Sequence, residues 1–233
     1  GLECGTGDRL TQVFRSEVTQ PVSVAVWVGP GHVEDFTAGV PNCMVVDSDD
    51  RTVVDFIVET MSTDLIRLYK GGDLVGTEVG AAAKNVIGIA AGMLDGIGRS
   101  SMKGSLMARG AREVSRLIKA MGGREMTAYG LCHLGDYEAT LFSEHSHNRS
   151  FGEAFVCAQS QGNRTEMDIL RKGRHNMGLA EGVNTAQAIM LLSCEYNVDM
   201  PICSGVYSVI FHGMEVQEAL EIMLLRGIKS EFY

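Results

Sequence analysis

The stretch GAAAKNVIGIAAG, residues 80 to 92, surrounds one charged and one amide side chain, Lys84 and Asn85, with small or aliphatic residues. Glycines at 76, 80, 88, 92 and 96 recur at every fourth position, and Lys84 takes the place of the missing member. On a helix a step of four returns to nearly the same face, so Gly80, Lys84 and Gly88 share one side. The ammonium then has only hydrogen one turn above and below it, and nothing local pairs with it. Small residues at this spacing let another backbone or a ligand approach closely, and an unpaired buried charge is costly unless a partner arrives. The stripe therefore reads as a cleft wall with one long polar arm. A lysine kept from water in this way can both give and take a proton near neutral pH. The run from 75 to 98 matches a membrane span in length, at about 20 residues. Glu78, Lys84, Asp95 and the glycine load argue against that use.

The elements that must position this helix fall into two parts that meet near residue 73. Before it, β-rich runs alternate with helical ones: VSVAVWVG (22 to 29), a short helix from His32 to Gly39, NCMVVDS (42 to 48), a helix from Asp49 to Met61, and LIRLYKG (65 to 71). That is the rhythm of an α/β sheet domain, although too short for both halves of a doubly wound one. After it, helical periodicity covers 73 to 97, 101 to 120, 125 to 131, 149 to 159, 164 to 171, 182 to 196, 201 to 211 and 215 to 224. Asp73 is placed to cap the glycine helix, Pro201 to open a later one and Gly213 to close it. The thirteen methionines fall mostly at helical spacing and read as core. GTG at 5 to 7 follows no strand and is not a phosphate loop.

Composition bounds the function. The 233 residues are 45% hydrophobic and 21% charged, ordinary for a folded chain with a sizeable core. A net charge of -9 leaves no long-range attraction for nucleic acid or an anionic membrane, so neither is expected as a partner. Six scattered cysteines without a CxxC pair, and no leading signal segment, point to a reducing cytoplasm. Cys132, His133, His145 and His147 lie at separations unusual for a zinc site, so no metal is expected. The sequence opens on GLECGTGD without a methionine, which suggests a processed chain or a fragment.

Several runs together resemble the NAD(P)-dependent glycerol-3-phosphate dehydrogenases. They are GLE (1 to 3), GPGHVED (29 to 35), GTEVGAAAKNVIGIAAGMLDGIG (76 to 98), MARGAREVSRL (107 to 117), HLGD (133 to 136), SHNRSFG (146 to 152), AEGVNTA (180 to 186) and MPICSGVY (200 to 207), in the family's order. The resemblance implies a partial Rossmann-like α/β domain over residues 1–73, followed by an all-α substrate domain over 74–233 of the kind that closes 6-phosphogluconate dehydrogenase. It further implies that roughly the first hundred residues of the family, with the glycine-rich dinucleotide turn, lie upstream of Gly1, so that the chain as given is inactive alone. The expected activity interconverts dihydroxyacetone phosphate and glycerol 3-phosphate with NAD or NADP, in a homodimer.

Site residues follow from the residue types and the resemblance together. Lys84, the lysine of the family's KN pair, is the expected general acid and base. Asn85 orients the substrate or the lysine, and Asp136 of HLGD holds the ammonium and a substrate hydroxyl. Thr140 adds a further hydroxyl. Ser146, Asn148 and Arg149 stand where a helix begins, which is anion chemistry suited to a phosphate, and Arg149 is also expected at the cofactor. His147 replaces the first arginine of the family's SRNR and is assigned to substrate and cofactor, with weaker phosphate binding as pH rises. In GPGHVED, Gly29 and Gly31 let backbone approach the substrate, Gly31 having replaced a serine, and Val33 is a cofactor contact. Glu181 and Leu179 complete the cofactor side. The changes at 31 and 147 leave open a related dehydrogenase of another hydroxy acid, and a non-catalytic helical module with a decayed site is the reading from a different class.

Overall fold

The computed structural model describes residues 1–31, 33–175, 178–228 and 230–231. His32, which opens the expected helix from 32 to 39 and sits within GPGHVED, lies outside the described residues. The chain runs α1 (Leu10–Glu17), β1 (Ala25–Val28), α2 (Val33–Thr37), β2 (Asn42–Ser48), α3 (Arg51–Met61), β3 (Ile66–Lys70), α4 (Leu74–Gly96), α5 (Lys103–Ala120), α6 (His147–Ser160), α7 (Arg164–Leu170), β4 (Arg174–His175), β5 (Gly178–Leu179), α8 (Glu181–Glu195), α9 (Pro201–His212) and α10 (Val216–Leu224). Short helical turns lie between α4 and α6.

The first part is a small mixed sheet, coarser than the Rossmann-like expectation. β2 pairs parallel with β3 across the α3 crossover, while β1 pairs antiparallel with β2. Val46, Val54 and Leu68 form its core, with Met44, Ile57 and Ile66 packed against them. The expected strand 22 to 29 is shorter, Ala25–Val28, and α1 precedes the first run to which the sequence assigns an element. α1 is held by Glu78 of the glycine helix, whose carboxylate accepts from Thr11 N (3.0 Å) and Thr11 Oγ1 (2.7 Å) and pairs with Arg9 (2.6 Å). The residue that argues against a membrane span therefore pins one helix to another.

α4 is the axis of the second part, packed by α5, α6, α8 and α9. By length and composition it could cross a membrane, but 78% of its apolar window is buried inside the fold. Its start is fixed twice. Asp73 caps it by accepting from Gly76 N (3.1 Å), and the same carboxylate accepts from Arg124 N (2.8 Å) and Thr127 Oγ1 (2.6 Å). Asp47 at the end of β2 accepts from Asp73 N (2.9 Å) and Thr77 Oγ1 (2.8 Å), which joins sheet to helix. The glycine stripe does what its spacing predicts for α6. A Cβ on Gly92 would lie 1.8 Å from the Arg149 carbonyl oxygen, and one on Gly152 2.2 Å from that of Ile89, so the two backbones cross in contact. At the far end, Glu113 of α5 accepts from Ile202 N (2.8 Å) and Cys203 N (2.9 Å) in the first turn of α9. Burial pushes this carboxyl up to about 7.

The part after residue 74 is not wholly helical. β4 and β5 pair as a short antiparallel ladder before α8, and residues Glu138–Phe142 form a π turn. Pro201 opens α9 and Gly213 closes it in the left-handed region at φ 72°, as the sequence signals require.

Candidate active site

Lys84 emerges from α4 into a cavity of about 280 Å³ lined by Gly31, Lys84, Asn85, Asp136, Ala139, Thr140, His145, Ser146, His147, Asn148, Leu179 and Glu181. Nine residues expected from the sequence to carry substrate or hold the deep end of the cofactor thus share one cleft with the lysine. The bare Gly80 and Gly88 make room for them. A Cβ on Gly80 would lie 3.2 Å from that of His133, and one on Gly88 2.8 Å from the Thr140 methyl. The loop bearing Asp136 and Thr140 can therefore lie flat along the helix.

Lys84 is not the unpaired cation its local sequence suggests. Its Nζ pairs with Asp136 Oδ2, the carboxylate being 3% exposed and the lysine side chain 21%. The pairing spans 52 residues, so periodicity on α4 could not reveal it. A buried ion pair of this kind stabilises little by itself, but removing either partner strands the other.

Asn85, Asn148 and Glu181 form a second polar cluster. Gly182 N in the first turn of α8 donates to Asn148 Oδ1 (2.9 Å), which fixes that amide's orientation. Asn148 Nδ2 must then donate to Asn85 Oδ1 (3.1 Å), leaving Asn85 Nδ2 to face Glu181 Oε2 at 3.4 Å. The chain of amides sets α4, α6 and α8 against one another at the cleft floor.

The third group is the start of α6. Ser146 caps it, accepting from Arg149 N (3.3 Å), and its hydroxyl donates to the Thr140 carbonyl (2.7 Å). That hydroxyl ties the start of α6 to the loop that carries Thr140. The first-turn N–H groups beside it form the positive end of the helix dipole, and the His147 ring lies against Gly178, its Cε1 3.2 Å from where Gly178 would carry a Cβ.

Three expected residues do not line the cavity. Arg149 turns its guanidinium away, with Nε 3.0 Å from Asp95 and NH2 3.7 Å from Glu153, in a partly buried cluster that also holds Lys103. It follows Asn148 by one position, and a step of about 100° on a helix carries it to another face. Gly29, at φ 138°, packs on the Met44 backbone, where a Cβ would sit 3.0 Å from Met44 Cα. Val33 is exposed at the start of α2. Gly31 does line the cleft, and its missing side chain also admits the Phe36 ring, 2.6 Å from its Cβ position. Ala139 and His145 line the cavity without having been expected there. Among the described residues, no group of His, Cys, Asp or Glu is arranged to hold a metal ion.

A family described as NAD-dependent glycerol-3-phosphate dehydrogenase C-terminus matches residues 73–221. The chain is 36% identical over 234 residues to a glycerol-3-phosphate dehydrogenase (NAD(P)+) of Pelodictyon phaeoclathratiforme, covering 99% of this chain and 68% of the relative. It is 37% identical over 235 residues to the protein so named from Clostridium botulinum, covering 100% and 68%. A crystal structure of glycerol-3-phosphate dehydrogenase from Coxiella burnetii superposes with a TM-score of 0.82 at 28% identity, over 97% of this chain and 67% of that one. A Plasmodium falciparum structure of the same name, 15% identical over 96% and 62% of the two chains with a TM-score of 0.80, shares the fold. The chain belongs to the NAD-dependent glycerol-3-phosphate dehydrogenase family, and it spans about two thirds of the length of these relatives.

Proposed function

We propose that the protein carrying this chain interconverts dihydroxyacetone phosphate and glycerol 3-phosphate, with Lys84 as the general acid and base and NAD or NADP as the hydride carrier. The observation that carries this reading is the Lys84–Asp136 pair on the wall of a cleft into which the first turn of α6 opens. In the reducing direction the substrate carbonyl at C2 becomes an alkoxide as hydride arrives. Lys84 Nζ gives its proton to that oxygen, and in the oxidising direction takes it back from the C2 hydroxyl. Asp136 holds the ammonium in place and balances its charge, so the proton donor stands at one site without solvent rearrangement. Thr140 and Asn85 flank the lysine as hydroxyl and amide partners for the substrate oxygens.

The phosphate suits the N-terminus of α6, where backbone N–H groups and the helix dipole favour an anion and His147 adds a donor. Leu179 and Glu181 put an exposed apolar side chain and an acceptor on one rim of the cleft, which fits a flat ring carrying a carboxamide. When bound, the nicotinamide supplies or accepts the hydride at C2. Residues 1–73 are assigned to the coenzyme-binding part and 74–233 to the substrate part. Six free cysteines suit a reducing cytoplasm, and the exposed Leu224, Leu225 and Ile228 give a homodimer an apolar face to cover.

Steady-state kinetics of the full-length protein with dihydroxyacetone phosphate and each reduced nicotinamide test the reading. Coenzyme oxidation matched by glycerol 3-phosphate is expected. Turnover only with another hydroxy or keto acid moves the chain to a different substrate within the same architecture, and no turnover with any contradicts the proposal.

A further inference from the structure

His133 is fully buried beside the cleft, yet the proposed proton transfer does not use it. Both its ring nitrogens are bonded: Nδ1 lies 2.8 Å from the Gly80 carbonyl oxygen and Nε2 2.6 Å from the Tyr137 hydroxyl. A carbonyl only accepts, so Nδ1 carries the hydrogen and Nε2 accepts from Tyr137. Burial, to which the Lys84 charge adds, pushes the imidazole down to about 4, so the ring is neutral at working pH. Burial likewise raises the Tyr137 hydroxyl well above the usual phenol range, which keeps its proton in place.

The placement of this pair is specific. Gly80 stands one turn before Lys84 on α4, and its carbonyl is where the Lys84 backbone N–H points in a regular helix. His133 and Tyr137 bracket Asp136 at three positions before and one after. Asp136 N donates to the His133 carbonyl at 3.0 Å. A closed circuit results: α4 holds the His133 ring, the His133 carbonyl holds Asp136, Asp136 holds Lys84, and Lys84 belongs to α4. Gly80 permits it, since a Cβ there would press on Cys132 Sγ at 3.1 Å and His133 Cβ at 3.2 Å.

We infer that His133 is a positioning residue for the reaction, fixing Asp136 and through it Lys84 Nζ against the substrate oxygen by its neutral bridge from Tyr137 to Gly80. The inference rests on the proposed function, in which Lys84 passes the proton. Its distinctive consequence is that loosening the bridge lowers kcat more than it raises KM, because the phosphate site on α6 is left alone.

The test uses the full-length protein and two double variants. His133→Leu with Tyr137→Phe removes both polar partners together, so no hydroxyl is orphaned and the fold is kept. His133→Asn with Tyr137→Phe restores a donor near the place of Nδ1. The first is expected to lose about 10- to 100-fold in kcat, with KM for dihydroxyacetone phosphate changed by less than about threefold and an unchanged circular-dichroism spectrum. The second is expected to recover most of the loss. Wild-type kcat in the leucine variant, or no recovery in the asparagine variant, overturns the inference. So does a leucine variant whose loss lies wholly in KM. Lys84→Ala in the same assay separates the two claims, because retained turnover there refutes the proposed function and this inference with it. Loss there beside a wild-type leucine variant refutes the inference alone.

Discussion

Replacing Gly92 by alanine adds one methyl at the crossing of α4 and α6, where the new carbon would lie 1.8 Å from the Arg149 carbonyl oxygen and 2.9 Å from Glu153 N. Both neighbours are backbone and cannot swing aside. Even a 3.0 Å approach, about the closest that real side chains make, requires the helices to part by more than 1 Å. Overpacking of this kind costs about 1–3 kcal/mol, sometimes more, and a backbone clash belongs at the upper end. Against it stands the gain in helix propensity from glycine to alanine, at most about 1 kcal/mol. The net loss is therefore about 2 kcal/mol, or some 4–8 °C in Tm at the roughly 2–4 °C per kcal/mol expected for a chain of this size. Gly104 provides the control, since it lies in α5 with nothing within 4 Å of its Cβ position. The same substitution there should leave Tm unchanged or raise it. Because the parted helices carry Lys84 and the turn proposed to hold the phosphate, Gly92→Ala should also lower kcat/KM by on the order of 10²-fold. Thermal melts and kinetics of both variants check this. A Gly92→Ala protein as stable and active as Gly104→Ala would refute the packing argument.

Two further perturbations probe other joints of the fold. Glu113 binds its proton more tightly when folded, at about 7 against 4.5 in the open chain, so its contribution is fully present below about 4.5 and is lost as pH rises through 7. That difference corresponds to about 3 kcal/mol, and Glu113→Gln should flatten the fall in Tm between about pH 4.5 and 7. Parallel curves for the two proteins would show that this carboxyl does not govern it. Asp136→Asn keeps shape but removes the charge opposite Lys84. It should cost on the order of 10²-fold in kcat with a smaller change in KM, as measured by initial rates; a loss confined to KM would show that Asp136 binds substrate without positioning the lysine.

The glycine stripe and its lysine are legible from local pattern, because a period of four on α4 and a cap at Asp73 depend only on near neighbours, whereas Asp136, Thr140, Leu179 and Glu181 come from the family resemblance. Lys84, Asn85, Asp136, Thr140, Ser146, His147, Asn148, Leu179 and Glu181 meet in one cleft, as their runs imply. What escaped local pattern depends on partners distant in sequence. The lysine's local surroundings suggest an unpaired ammonium, and its carboxylate, Asp136, is expected only through the family resemblance, on a loop that folding brings near. Arg149 has the type and position of an anion ligand, but its helical phase turns it to Asp95. α1 is a short polar helix whose anchor, Glu78, lies 67 residues from Thr11. The antiparallel pairing of β1 is equally invisible to alternation, since period two does not say which neighbour a strand joins.

The central claim is that the Lys84 amine moves the proton of the reaction. Lys84→Ala in the full-length protein, folding verified by circular dichroism, should lower kcat for dihydroxyacetone phosphate by about 10²- to 10⁴-fold. A kcat within threefold of the wild type would contradict it.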